Sequence, residues 1–275
     1  MQIQFYQTRN ELLKPFLEGY YFLSKHKAEG DIEYLTFPNN FVNLSVYRNT
    51  QVELKNNEVV ISENSELPFS SVLVSNYTIP VKAIYSGEIT EITFHFKPLG
   101  LNAFLSDLKP FPNGLLHHFN PYTDYQTVLS SVLNEDDVQL KINQIEGYWL
   151  SKLKGFRQIL MENLISDLVK ADENLSIGSL AVKYNTSRQN IHKLFNRYLG
   201  KSPADFRKIH RFRETLANRI ISLKNEENLT ALSYESLFYD QSHMVKEFKL
   251  LTGLSPKKFF ENVKLKKGAG NWLFM

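Results

Sequence analysis

Residues Ser187–Phe206, SRQNIHKLFNRYLGKSPADF, are echoed 53 residues further on by Asp240–Phe259, DQSHMVKEFKLLTGLSPKKF. At that single offset Phe195 matches Phe248, Gly200 matches Gly253, Ser202-Pro203 matches Ser255-Pro256 and Phe206 matches Phe259. Each copy opens on a residue able to cap a helix, Ser187 or Asp240, runs through apolar positions at helical spacing, stops at Gly and restarts at Ser-Pro. In the first copy Ile191, Leu194, Phe195 and Tyr198 form the inward stripe, which turns Arg188, Gln189, His192, Lys193 and Asn196 outward. In the second, Met244, Phe248 and Leu251 face inward, and Gln241, Ser242, Val245, Lys246 and Lys249 face outward. A shorter helical pattern precedes each copy: Ser176, Ile177, Leu180, Ala181, Tyr184 in one case, Thr230, Ala231, Leu232, Glu235 in the other. Helix, tight turn and capped helix, written twice, predict two helix-turn-helix units.

The charge is distributed to match. Residues 1–150 carry 10 Lys and Arg against 17 Asp and Glu, a net −7, whereas residues 151–275 carry 22 against 12, a net +10. A basic half joined to an acidic half is the balance of a nucleic-acid binder with a non-binding module attached. The chain of 275 residues has no cysteine, which removes disulfides, thiol redox chemistry, Cys-bearing zinc sites and cysteine nucleophiles. No signal-peptide pattern opens it and no run approaches 18 apolar residues, so a cytoplasmic protein without membrane association is expected.

From Gln2 to about Thr93 the sequence reads mainly as strand. The segments are Gly19–Ser24, Ile32–Phe37, Val42–Tyr47, Gln51–Leu54, Glu58–Ile61, Val72–Ser75, Val81–Ser86 and Glu91–Lys97, which suggest a sandwich or small barrel. In Ile92-Thr93-Phe94-His95-Phe96 the apolar residues belong to a core face, and Thr93 and His95 to solvent or a cavity. Helices follow at Leu99–Leu108, Tyr125–Leu133 and Asp136–Leu153, the last capped by Asp136 and striped by Val138, Ile142, Ile145, Trp149 and Leu153. A joint is expected at Lys152–Gly155. Beyond it lie a helix over Phe156–Ala171, with Phe156, Ile159, Leu160, Leu164 and Leu168 inward, and a long one over Pro203–Leu223, with Phe206, Ile209, Phe212, Leu216 and Ile220 inward. At 1.5 Å per residue the long helix spans roughly 30 Å, close to the separation of about 34 Å between successive major-groove faces. The fold class is therefore α+β in two domains, a β-rich one over 1–153 and an all-α one over 154–265, with a tail over 266–275.

The strings LAVKYNTSRQNIHKLFNRYLGKSPADFRKIHRFRETL and FYDQSHMVKEFKLLTGLSPKKFF resemble the AraC/XylS family of bacterial transcription regulators, over roughly Phe156–Val263. The resemblance implies two readers of double-stranded DNA. Base-reading positions fall on Gln189, His192 and Lys193 in the first unit and on Gln241, Ser242, Val245 and Lys246 in the second, with Arg188, Arg197 and Lys249 meeting phosphates. The family's Gly in the second turn is replaced here by Leu237. The N-terminal half, through PNNFVNLSVY and ITFHFKPLGLNAFL, is similar to the cupin-like sensor domains that precede many such readers. That implies a small effector, for which Asn43, Tyr47, Tyr85 and His95 are the candidate contacts, and dimer contacts from the helices after the strands. RNA polymerase is a further candidate partner. A cupin-type enzyme and a ligand-free interaction or dimerisation module are the alternatives for this half. Against the enzyme stand the absence of an H-x-H metal set and of any nucleophile-elbow or phosphate-loop motif; no metal and no cofactor are expected.

Overall fold

Alternating side chains give the first half of the chain its sheets. The structure, a computed structural model, describes residues 1–55, 58–105, 114–170, 175–224 and 241–262. The strands are β1 (Gln2–Gln7), β2 (Leu17–Lys25), β3 (Ile32–Thr36), β4 (Val42–Arg48), β5 (Thr50–Lys55), β6 (Glu58–Glu63), β7 (Phe69–Asn76), β8 (Val81–Ser86), β9 (Ile89–Phe96) and β10 (Gly114–His117). They form a six-stranded sheet in the order β1-β2-β9-β4-β7-β10 and a four-stranded one in the order β3-β8-β6-β5, with β6 and β8 parallel. All eight predicted strands are present with slightly moved ends. The sequence reading had no segment for β1 or β10.

The chain divides into two units. The first comprises Met1–Tyr34, Phe41–Asn76 and Val81–Phe156; the second comprises Leu35–Asn40, Tyr77–Pro80 and Arg157–Met275. In the first, one face of the six-stranded sheet is apolar. Leu44, Val46, Leu73, Ile92, Phe94 and Phe96 pack there with Tyr20, under the helices α1 (Tyr125–Asn134) and α2 (Val138–Lys152). The key of this core is Trp149 of α2, fully buried, whose ring meets Phe94, Phe96 and Phe104 edge-on at 5.5, 5.0 and 5.2 Å. The stripe of α2 is thus spent inside its own unit, as Ile142 and Ile145 confirm by their burial. Its cap is Asp137, one residue later than expected, because that side chain accepts from Leu140 N at 2.8 Å. Glu146 ties α2 to the loop after β1, accepting from Arg9 N, Asn10 N and Tyr20 OH at 2.8, 2.9 and 3.0 Å.

Two helix expectations need correcting. No α-helix covers Leu99–Leu105, and residues 106–108 lie outside the described set. Leu99 takes a left-handed φ of 66°, and only a short 3-10 turn, Gly100–Ala103, follows. The backbone there presses on the first unit's loop: a Cβ at Gly100 would stand 2.0 Å from Phe16 O, and Lys97 N donates to that same oxygen. Leu101, Ala103 and Phe104 are all buried, so the apolar run that suggested a helix is a filled loop. The first helix of the second unit, α3, runs only over Ile159–Val169, capped by Gln158. Phe156 precedes it and packs on the first unit's core, and Ile159, expected inward, is 58% exposed.

Truncating Trp149 to Ala should destabilise the first unit by about 3–5 kcal/mol, since both the aromatic area and the packing behind it are lost. Denaturant unfolding followed by circular dichroism measures this, and a loss below 1 kcal/mol would show that the α2–sheet core does not depend on the indole.

Candidate nucleic-acid interface and effector site

The first predicted helix-turn-helix is formed by α4 (Ile177–Lys183) and α5 (Arg188–Leu199). Ser176 Oγ caps α4 by accepting from Ser179 N at 2.9 Å, and Ser187 Oγ caps α5 by accepting from Asn190 N at 3.0 Å. Between them Asn185 takes φ 46°, a left-handed conformation that Asn adopts at less cost than most side chains. Gly200, at φ 66°, ends α5. Ile191, Phe195 and Leu199 are buried, and Arg188, Gln189, His192, Lys193 and Arg197 are exposed on the opposite face. Arg188 also lies across α4: a Cβ on Gly178 would come within 2.7 Å of its guanidinium. The pair is fastened to α3 through Asp167, which accepts from Lys183 Nζ and Tyr184 OH, both at 2.7 Å.

The long helix α6 (Pro203–Lys224) leads to α7 (Gln241–Thr252) and α8 (Pro256–Asn262). Phe206, Ile209, Phe212 and Leu216 of α6 are buried as expected. In α7, Phe248 and Leu251 are buried, Lys246 and Lys249 exposed and Val245 half-buried. Gln241 and Ser242 occupy its first turn. The side chains of Gln241, Ser242, Met244 and Ile220, and the whole of Asp240 and Leu237, lie outside the described residues. The sequence repeat is also a structural one. Phe195 meets Phe206 edge-on at 5.7 Å and 72°, and Phe248 meets Phe259 at 5.2 Å and 79°. Glu247, which the sequence reading left unassigned, is buried against Arg211 of α6, whose Nη2 and Nε both donate to it.

The other candidate site lies on the second face of the six-stranded sheet, and the structure brings its four predicted residues into one buried polar layer. Register sets Asn43 opposite His95, Ser45 opposite Thr93 and Tyr47 opposite Glu91. The Nδ1 of His95 and Oδ1 of Asn43 are 2.8 Å apart, and the His95 ring packs on Tyr21 and Phe41. Tyr85 comes from the four-stranded sheet. Its hydroxyl donates to Glu91 Oε2 at 2.8 Å and accepts from Tyr34 OH at 3.0 Å.

The residue that organises this layer is Glu91, which sequence reasoning missed. It is 1% exposed and accepts from Tyr21 OH at 2.5 Å and Thr93 Oγ1 at 2.6 Å in addition to Tyr85. Period two was the available signal, because Glu91 shares the face of Thr93 and His95. Burial pushes its carboxyl above the ordinary range, against the opposing pull of these hydrogen bonds. Burial, and then the charge of Glu91, hold the Tyr21, Tyr47 and Tyr85 hydroxyls well above theirs. Lys25, buried on the same face, donates to Gly87 O at 2.8 Å. Among the described residues no set of three or more His, Asp or Glu side chains could hold a metal ion, and no helix is long and apolar enough to cross a membrane.

A family model described as a helix-turn-helix domain matches residues 180–262, the stretch that holds α4 to α8. The second unit carries an AraC-type helix-turn-helix domain. A domain of this type supports a DNA-binding regulator. Among solved structures, ToxT from Vibrio cholerae is similar at 14% identity over 95% of this chain and 98% of that one, with a TM-score of 0.49. Wild-type ToxT with bound unsaturated fatty acid is similar at 16% over 86% and 94%, with a TM-score of 0.48. ToxT bound to (E)-4-(8-methylnaphthalen-1-yl)but-3-enoic acid is similar at 18% over 95% and 99%, with a TM-score of 0.46. No curated protein matches the chain.

Replacing Gln189 and Lys193 together by Ala should relax base preference at the first half-site, each good base contact contributing about 1–3 kcal/mol. Lys249→Ala should weaken all sequences alike, as a phosphate contact does. Selection from a random pool separates the two, and an unchanged preference in the double mutant would refute the assignment.

A second prediction concerns Glu91. Its raised folded-state pKa means that the folded chain holds the proton more tightly than the unfolded chain. The stability this contributes is therefore complete below the ordinary Glu value of about 4.3 and is lost as pH climbs through the higher folded value. Tyr21, Tyr47, Tyr85, Lys25 and His95 share the site in both proteins, so the difference between wild type and Glu91→Gln isolates the carboxyl. The variant's melting temperature should gain on wild type from pH 4.5 to 7.5, and a difference that does not vary with pH would show an unperturbed Glu91.

Proposed function

We propose that this DNA-binding regulator reads a two-part site on double-stranded DNA and is tuned by a small effector held in the polar layer of its first unit. The observation that carries the DNA part is the duplicated aromatic clamp. Phe195–Phe206 and Phe248–Phe259 back two helices whose outer faces carry donors and positive charge. In this reading Gln189, His192 and Lys193, with Gln241, Ser242, Val245 and Lys246, meet base edges, and Arg188, Arg197 and Lys249 meet phosphates. Arg188 does so from its position across Gly178.

Asn43, Tyr47, Tyr85 and His95 are the effector contacts in this proposal, and Glu91 joins them. A polar layer inside an otherwise apolar unit is a poor choice for stability alone, and directional donors and acceptors are what orient a small ligand. Such a ligand would act by favouring one arrangement of the chain over another. Homodimerisation is part of the same proposal. With the α2 stripe buried at home, the exposed face of Leu140, Asn143 and Gly147 is the part of that helix free for a partner copy. An activating output would add a contact with RNA polymerase.

Binding to its selected DNA should weaken steeply with salt, log K falling by roughly 0.9 per phosphate neutralised for each tenfold rise in salt. Titrations of the full chain between low and physiological salt measure the slope, and an affinity that does not change with salt would contradict a phosphate-gripping reader.

A further inference from the structure

The second unit contains a piece of chain that its sequence motif does not: Leu35–Asn40, the last two residues of β3 and the start of the connection to β4. Phe37 of this segment is 2% exposed, and it is buried in the cluster of Ile209, Phe212, Leu216, Phe248, Leu251 and Phe259. Its ring meets Phe259 edge-on at 5.0 Å. The aromatic clamp behind α7 is therefore Phe212, Phe248, Phe259 and Phe37, three rings from the reader and one from outside it.

The backbone of the segment is gripped as well. Arg213 Nε donates to Pro38 O at 2.7 Å, and its Nη2 donates to Phe37 O. Lys201, 3% exposed, donates from Nζ to Asn39 O at 2.9 Å and reaches Asn40 Oδ1 at 3.4 Å. Asn40 Nδ2 donates to Phe206 O at 2.9 Å, and Tyr77 OH to Phe37 O at 2.9 Å. The internal repeat marks this grip as specific. At the 53-residue offset Lys201 corresponds to Leu254, which packs on the cluster as an ordinary apolar side chain. The first copy carries an ammonium where the second carries a hydrocarbon, and that ammonium is spent on Leu35–Asn40.

We infer that Leu35–Asn40 is a positioning element of the DNA-reading unit, and that the second reader selects sequence only while Phe37 is seated behind it. Phe37 touches no DNA in this reading. It holds α8 and, through Phe248, α7 against α6, so the direction of Lys246 and Val245 depends on a residue of the N-terminal half. The inference rests on the two-reader function proposed above.

The test is selection from a random DNA pool with full-length wild type, Phe37→Ala and Phe37→Leu, followed by titration on the selected sites. Wild type should select a two-part motif. Phe37→Ala should keep the first part, lose preference in the second and bind the two-part site about tenfold more weakly, an effect the size of one lost base contact. Phe37→Leu, which keeps the cluster largely filled, should fall between. Variants that select and bind the two-part motif as wild type does would overturn the inference while leaving the two readers in place. Loss of both parts together in both variants would also overturn it, because the segment would then support the whole unit. A wild type that selects one part or none overturns the two-reader function and this inference with it.

Discussion

The edge-to-face contact between a buried Phe of the second helix of each repeat and the Phe at the fourth position of the helix that follows is the constraint on which the second unit depends. Phe195 with Phe206 and Phe248 with Phe259 are the same contact made twice. The chain between the two rings has little freedom. Gly200 and Gly253 reverse it at φ 66° and 75°, and Ser-Pro restarts it with the fixed φ of Pro at the first helical position. Each of these helices turns polar residues to solvent while a large ring on its inner face, Phe195 beside Ile191 and Leu199 or Phe248 beside Leu251, is locked in this way. The contact also explains why α5, with so polar a sequence, is a helix at all: its tertiary anchor replaces the stability that its own composition lacks.

The first unit is governed by the two unlike faces of one strand. In β9, Ile92, Phe94 and Phe96 point to the Trp149 core, and Glu91, Thr93 and His95 point the other way into a layer that is equally buried. A single-residue slip of register would exchange the two sets, placing Glu91 among phenylalanines and Phe94 among tyrosine hydroxyls. The polar layer therefore fixes register as firmly as the apolar core does. Its hydrogen bonds also explain how a carboxylate is kept 1% exposed with three hydroxyl donors as its partners: Tyr21, Thr93 and Tyr85 each direct a hydroxyl at it.

Much of this was legible in the residues. The repeat predicted the helices α5 and α7, the Ser187 cap of the first and the buried rings of both, and alternation predicted eight strands within a few residues of their ends. The misses have physical causes. Leu99–Leu105 has the composition of a buried helix but is a loop, because its backbone must pass against Phe16 O and burial leaves no polar face to give a period. Strand β1 alternates only over Gln2–Phe5, none of it fully buried, and pairs on one side only, with β2. Glu91 looked like a strand end; its burial comes from Tyr34 and Tyr85 of the other sheet, a long-range pairing that no local pattern carries. The part played by Phe37 was hidden for the same reason, since a Phe at the end of a predicted strand reads as part of the nearest core.

Burying Lys201 and Arg213 has a consequence for how the second unit holds its borrowed segment. Both donate to main-chain carbonyls, which carry partial charge and a fixed direction. Burial pulls Arg213 down to about 10 and Lys201 down to about 7, the Arg213 charge adding to the effect on Lys201 against the opposing influence of Asp205. The folded chain thus holds the Lys201 proton less tightly than the unfolded chain does. Its contribution to stability is complete above the ordinary lysine range and is lost as pH falls through about 7. A neutral amine still donates to Asn39 O, so the grip keeps its geometry while its desolvation cost changes with protonation. Contacts made to carbonyl oxygens recognise the path of the backbone more than the side chains along it. The segment is therefore held by its conformation, and any event that altered the backbone between β3 and β4 would be felt first at Lys201 and Arg213, and through Phe37 at the second reader.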